Sequence, residues 1–311
     1  MMSLLLLRYL CLCLPVFSGI NIEQFGFPIL KGAYLGQEPP GVIPEIFAPG
    51  VVSTDADEGC SSFSADGQWY LFARARAALD GILYTQQVDS VWTEPDRASF
   101  SVGEYDWDFS VAPDGRTVYV SSCRPLREGG LPEREYRIWI SERTADGWSD
   151  PRLLSFPVNS GQHDSHPFVT RDGTLYFFSN RSGGFGQGDI YYARCYLGQY
   201  PDVKNIGAPI NTEHHEADPF ISPDEDYLVF CSDKPGGFGN TDLYITFREM
   251  DGSWMEPVNM GGSINSPFAE YIPYTTPDGR YFFFTSDKSG NREIYWVDAG
   301  IVELLRTTVC K

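Results

Sequence analysis

Acids recur at one position of a repeated pattern. Counting eight residues back from the aspartates of five turn signals (Asp66, Asp114, Asp172, Asp224 and Asp278) reaches Glu58, Asp106, Asp164, Glu216 and Glu270. Counting back six reaches Cys60, Asp108, His166, Asp218 and Ile272. Residues two apart on a strand share a face, so both sets belong to one surface. Five carboxylates drawn into one funnel would raise each other's pKa unless a cation sat among them, which favours a divalent metal or a cationic ligand. A pair held about 5–9.5 Å apart across an open cleft would instead suit a glycoside hydrolase or lyase, with Asp106, Asp164, Glu216 or Glu270 as acid, base or stabiliser. The simpler reading is structural: each acid accepts backbone N–H bonds from the neighbouring loop, and recurs because the fold recurs.

All four histidines (His163, His166, His214 and His215) fall beside these acids, interleaved with Asp164, Glu216 and Asp218. Imidazole with carboxylate suits zinc, manganese or iron, so His166, Asp164, His215, Glu216 and Asp218 form a candidate metal set. No tight spacing such as His-Glu-x-x-His supports it, and no cofactor is predicted beyond such a metal. Trp107, between Asp106 and Asp108, reads as a sugar platform or as packing between repeats. With Glu58, Asp106, Asp108, Asp164, Glu216, Asp218 and Glu270 it completes the candidate ligand-binding set. The two Gly-Gly-Phe-Gly segments (starting at Gly183 and Gly236) are followed by no helix whose N-terminus could hold a phosphate, and read as flexible strand connections. No Gly-x-Ser-x-Gly elbow and no nucleophile with a base partner is visible, which argues against a peptidase or esterase.

The elements that must position these residues repeat at a fixed interval. The turn aspartates are 48, 58, 52 and 54 residues apart. The turns read Ala65-Asp66-Gly67, Pro113-Asp114-Gly115, Arg171-Asp172-Gly173, Pro223-Asp224-Glu225 and Pro277-Asp278-Gly279. Pro presets the first turn position and Gly accepts the left-handed one that closes the hairpin; Glu225 in place of Gly predicts a strained or differently closed turn. After each turn comes an apolar β run (for example Tyr281-Phe282-Phe283-Phe284), then a third strand (Glu293-Ile294-Tyr295-Trp296). Three copies continue with Trp and, three residues on, Pro (Trp92/Pro95, Trp148/Pro151, Trp254/Pro257), as expected at an outer strand.

Four strands at this period predict an all-β fold, a single five-bladed β-propeller, six blades being the alternative. The fifth copy has no fourth strand after Trp296, and Pro44–Ser53 resembles Glu256–Asn265. The N-terminal strand is therefore expected to close the last blade and remove both sheet edges. The expected blades span about 54–101, 102–159, 160–211, 212–265 and 266–299 plus 44–53, within a propeller at 44–299. Residues 20–43 form a lead and 300–311 a tail. Residues 1–19 read as a secretory signal, too short to span a membrane comfortably.

The formal charge of −19 excludes nucleic acid as a partner, since phosphate binding needs clustered Lys and Arg. After signal removal, Cys60, Cys123, Cys195, Cys231 and Cys310 remain, an odd and scattered set that is no disulfide framework. Cys123 and Cys231 fall in apolar strand patterns and read as buried free thiols.

These residues resemble the WD40-like Pro-Asp-Gly repeats of the TolB propeller and of many secreted bacterial proteins. The resemblance covers roughly 35–299; its most specific pieces are SPDEDYLVFCSDKPGGFGNTDLYITFREMDGSWMEPVNMGGSIN and YLGQEPPGVIPEIFAPGVVS. It departs at Glu225, in the degenerate outer strand at Gly198–Ile206, and in the insertion Arg124–Arg134. The resemblance implies a periplasmic or secreted binding propeller and no shared catalytic residues. Two functions follow. The first is an extracytoplasmic scaffold, monomeric and without a transmembrane helix in the mature chain, which recognises a protein, peptide or glycan at one mouth of the ring. The second is a carbohydrate-active enzyme using the channel carboxylates. The missing catalytic signature tips the balance away from an enzyme.

Overall fold

The turn signals close hairpins as their residue types dictate. In the computed structural model, which describes residues 27–145 and 147–309, Gly67, Gly115, Gly173 and Gly279 lie in the left-handed region with φ of 67°, 67°, 87° and 71°. Glu225 adopts the same conformation at φ 58°, so its turn closes like the others. The strain this places on a residue with a Cβ is offset by two cross-links: Tyr176 Oη donates to Glu225 Oε1 at 3.1 Å and Arg248 Nη1 donates to Oε2 at 2.9 Å. The signal expected at residues 1–19 lies outside the described residues.

Five antiparallel sheets result, arranged as the blades of a propeller. The inner strands are Asp57–Phe63, Asp106–Val111, Asp164–Val169, Glu216–Ile221 and Glu270–Thr275. Each pairs with a second strand beyond the turn (Trp69–Ala75, Thr117–Ser122, Leu175–Ser179, Tyr227–Ser232, Tyr281–Ser286), and each second strand with a third. The outer strands are two residues long: Asp96–Arg97, Arg152–Leu153, Lys204–Asn205, Val258–Asn259 and, from the N-terminus, Glu45–Ile46. The last pairs Glu45 with Trp296 and Ile46 with Tyr295, so the chain's first strand completes its last blade. Five sheets dispose of the six-blade alternative.

That seam is sealed by aromatic packing. Phe47, fully buried, meets Phe63, Tyr70, Phe283 and Trp296 with ring centroids 5.0–6.1 Å away in edge-on geometry. Removing such a side chain costs about 3–5 kcal/mol. Outside the ring, the helix Gly300–Val309 buries Val302 and lays Arg306 4.6 Å from the Phe247 ring centroid and 3.1 Å from Asp226. No helix among the described residues is long and apolar enough to cross a membrane. Cys231 is buried as expected, but Cys123 is only partly so, because the strand ends at Ser122 and Cys123 already belongs to the loop.

Candidate functional site

Every inner strand starts at one face of the ring, termed here the upper face, and carries a β-bulge within its second to fourth residues. A bulge re-aims a side chain, and here it separates the two sets of residues that the repeat had placed together.

The first set is buried in the blades. Glu58, Asp164, Glu216 and Glu270 are 0% exposed and Asp106 is 1%. Each carboxylate accepts the backbone N–H of the residue four positions earlier, from Thr54, Val102, Ser160, Thr212 and Ser266, at 2.6–3.1 Å. Ser179, Ser232 and Ser286 donate hydroxyls to Asp164, Glu216 and Glu270. Arg74, Arg124 and Arg181 pair with Glu58, Asp106 and Asp164 at 2.7–2.8 Å. The loop that supplies the N–H is each acid's own lead-in loop. The main-chain N–H of the acid binds the preceding blade in four of the five copies, at Arg292, Tyr136, Gly188 and Thr241. Carboxylates with this many donors are fixed in place and do not converge on a funnel. Arg124 and Arg181 follow their second strands by two residues and Arg74 lies near the end of its own, a recurrence of basic residues that is visible in the sequence.

The second set forms a belt around the channel. Cys60, His166, Asp218 and Ile272 take left-handed φ of 36°, 49°, 52° and 52° at their bulges, conformations that persist only where surroundings enforce them. Neighbouring blades enforce them here. Cys60 Sγ accepts the Phe109 N–H at 3.2 Å, Ser121 Oγ accepts that of His166 at 3.0 Å, and Asp218 Oδ2 accepts that of Ile272 at 3.1 Å. His166 Nε2 stands 2.9 Å from Asp108 Oδ1 and 2.8 Å from Asp218 Oδ1. Burial alone would lower the pKa of this imidazole; the two carboxylates outweigh it and push it up to about 10. Asp108 Oδ1 is otherwise without a hydrogen-bond partner among the described residues. Asp218 is held below the usual carboxylate range, its own burial being outweighed by His166.

The imidazole thus occupies the place between carboxylates that a metal would take. Among the described residues no group of three His, Cys, Asp or Glu side chains is disposed to hold a metal ion. The proposed ligands are not one set: Asp164 and Glu216 are consumed in their lead-in loops, and the described partners of the His215 ring are aromatic, not carboxylate.

At the rim, Trp107 lies over Gly59 of the preceding blade, whose Cβ would meet the indole at 3.0 Å. The Arg292 guanidinium stands 5.5 Å from the Trp107 ring centroid and 5.6 Å from that of Tyr271. Nothing in the repeat pattern foreshadowed Arg292, which has no counterpart in the other blades. Between the third and fourth blades a cleft of about 350 Å³ opens on the upper face, lined by His163, Ser165, His166, Phe178, Asn180, Gln187, His215, Ala217 and Asp218. Burial, then His166, keeps the His163 pKa below its usual value, so this imidazole is neutral at pH 7. A larger cleft of about 410 Å³ lies on the opposite face under Tyr34. Two of its polar groups are engaged with the lead segment: Asp278 accepts from Tyr34 Oη at 2.6 Å and Gln87 Nε2 donates to the Gly32 carbonyl at 2.9 Å.

The Gly-Gly-Phe-Gly connections are fixed rather than flexible. Asp189 accepts the N–H groups of Phe185 and Gly186 at 2.7 and 3.1 Å, and Asp242 those of Phe238 and Gly239 at 2.6 and 3.0 Å. The amides a phosphate would need are therefore occupied.

No family model and no curated protein matches the chain. Solved structures that resemble it include TolB from Acinetobacter baumannii (13% identity over 79% of this chain and 55% of that one, TM-score 0.51) and a glycoside hydrolase (12% identity, 86% and 91%, TM-score 0.52). A putative TolB from Agrobacterium tumefaciens is 18% identical over 75% of this chain and 71% of its own, with TM-score 0.49. TolB-type propellers are thus among the structural neighbours, and at these identities the likeness is one of fold.

Proposed function

We propose that the chain is an extracytoplasmic binding propeller, monomeric, which takes its ligand at the upper mouth of the ring. The observation that carries this reading is the cleft between the third and fourth blades, a concave site whose Asn180, Gln187 and His215 side chains keep hydrogen-bonding capacity unspent. Trp107, Asp108 and Asp218 border the same mouth and complete the surface a ligand would meet. Glu58, Asp106, Asp164, Glu216 and Glu270 hold that surface in shape from below.

The alternative of a glycoside hydrolase or lyase draws support from Asp108 and Asp218, which approach one nitrogen from two blades. Against it, the imidazolium fills the space between them, and Asp106, Asp164, Glu216 and Glu270 have no solvent access. The test is calorimetric titration of the purified chain with peptide and oligosaccharide panels, run beside an assay for product release. Saturable binding without turnover is expected. Turnover abolished by Asp108→Asn or Asp218→Asn would replace the binding reading with the enzymatic one.

A further inference from the structure

The cleft between the third and fourth blades is lined by groups that bond to hydroxyls. Gln187 makes no side-chain hydrogen bond within the described protein. Asn180 spends only its Oδ1, which accepts the His163 N–H at 2.9 Å, and leaves Nδ2 to the cleft. The His215 imidazole meets the Phe178 ring edge-on at 5.2 Å and has no polar partner among the described residues. The one cation of the lining, His166, is already taken up by Asp218 at 2.8 Å and by Asp108 at 2.9 Å. An amide offers donor and acceptor together, which is what a hydroxyl-rich, uncharged ligand requires. A peptide anchor would want an open apolar pocket, whereas the apolar lining residues Phe178 and Ala217 are 7% and 6% exposed, and an anionic ligand would want an unpaired cation, which this lining lacks.

A second observation concerns the loop that carries Gln187. Phe185, two residues before Gln187, is 56% exposed, yet its loop is pinned by the Asp189 carboxylate. An aromatic face presented to water on a fixed backbone stacks on a ligand at little cost in entropy.

We infer that this cleft binds a neutral saccharide unit of a glycan, with Gln187, Asn180 and His215 on its hydroxyls and Phe185 stacked on the sugar that follows. The inference rests on the binding reading above and names its ligand class.

The test titrates the full chain with neutral oligosaccharides cut from cellulose, xylan, mannan and chitin, with a uronate oligosaccharide and a peptide library alongside. A neutral oligosaccharide is expected to bind saturably. Gln187→Ala and Phe185→Ala should each weaken it about tenfold, while Met250→Ser on the opposite face, where Met250 is fully exposed, leaves it unchanged. Gln187 and Phe185 are both exposed, so thermal midpoints near that of the native chain would confirm folding. Failure of all neutral oligosaccharides, preference for the uronate, or indifference to both substitutions would overturn the assignment. Peptide binding that is sensitive to Gln187→Ala would overturn the saccharide and leave the binding reading standing. Cleavage of the oligosaccharide would do the reverse.

Discussion

The Nε2 of His166 lies 2.8 Å from Oδ1 of Asp218 on the neighbouring blade. With Asp108 2.9 Å from the same nitrogen, a protonated imidazole is locked between two carboxylates beneath the upper mouth. The histidine that looked like a metal ligand is instead the cation of its own site.

This lock makes stability depend on pH in a definite direction. The folded pKa of His166, about 10, exceeds its unfolded value near 6.5. Its contribution is therefore complete below about pH 6.5 and is lost as the pH rises through about 10. Asp218 is depressed, so its side of the same interaction is complete above about pH 4 and is lost as the pH falls through its folded value. The urea midpoint of the native chain should fall between about pH 7 and pH 10 by an amount worth a few kcal/mol, roughly. His166→Gln should abolish that slope. Equal slopes in the two chains would show that the lock stabilises nothing.

The buried acids should differ among themselves. Asp164→Asn leaves the Arg181 guanidinium, 15% exposed, without its counter-charge, and should cost about 3–5 kcal/mol. Among the described residues the Glu270 carboxylate bonds only to the Ser266 N–H and the Ser266 and Ser286 hydroxyls, while Lys288 sits 3.9 Å from the Tyr295 ring centroid. Glu270→Gln keeps an acceptor and should cost about 1–2 kcal/mol. Urea unfolding of both variants checks this; equal losses would mean that the arginines are incidental.

The Gly-Gly-Phe-Gly loops should tolerate no methyl group at their last glycine. A Cβ on Gly186 would lie 1.8 Å from the His214 carbonyl oxygen, and one on Gly239 1.9 Å from that of Phe268. Both partners are backbone, so the blades must part. Gly186→Ala should destabilise the chain by about 1–3 kcal/mol or more and speed amide exchange at Glu216, whose N–H is held by the Gly188 carbonyl at 3.0 Å. Unchanged exchange there would sink the argument.

These tests touch what the sequence revealed and what it hid. The period, the turn residues and the Pro44–Ser53 likeness to an outer strand were enough for blade number and closure, because they follow from local backbone chemistry. The shared offset of Glu58, Asp106, Asp164, Glu216 and Glu270 was equally plain. Its ambiguity was physical: alternation puts Glu216 and Asp218 on one face, whereas the bulge between Ala217 and Phe220 turns one into the blade and the other into the belt. A bulge leaves no mark in a pattern of period two. Asn180, Gln187 and Phe185 were illegible for another reason: Asp233, Asn240 and Phe238 hold the equivalent positions of the next blade, and the pattern does not mark which copy a ligand would meet.

Glu225 offers the last test, since it breaks the repeat at its most regular point. It holds a left-handed φ of 58° that costs a residue with a Cβ about 1–2 kcal/mol, and recovers it through Arg248 at 2.9 Å and Tyr176 at 3.1 Å. Glu225→Gly relieves the strain and loses both bonds, so its net effect should stay within about 1 kcal/mol. Glu225→Ala keeps the strain and loses the same bonds, and should cost about 1–3 kcal/mol. Thermal midpoints of the two variants separate the contributions. If Ala and Gly prove equal, the turn is unstrained and the side-chain bonds alone account for the residue; if Gly is the worse of the two, the conformation itself prefers Glu.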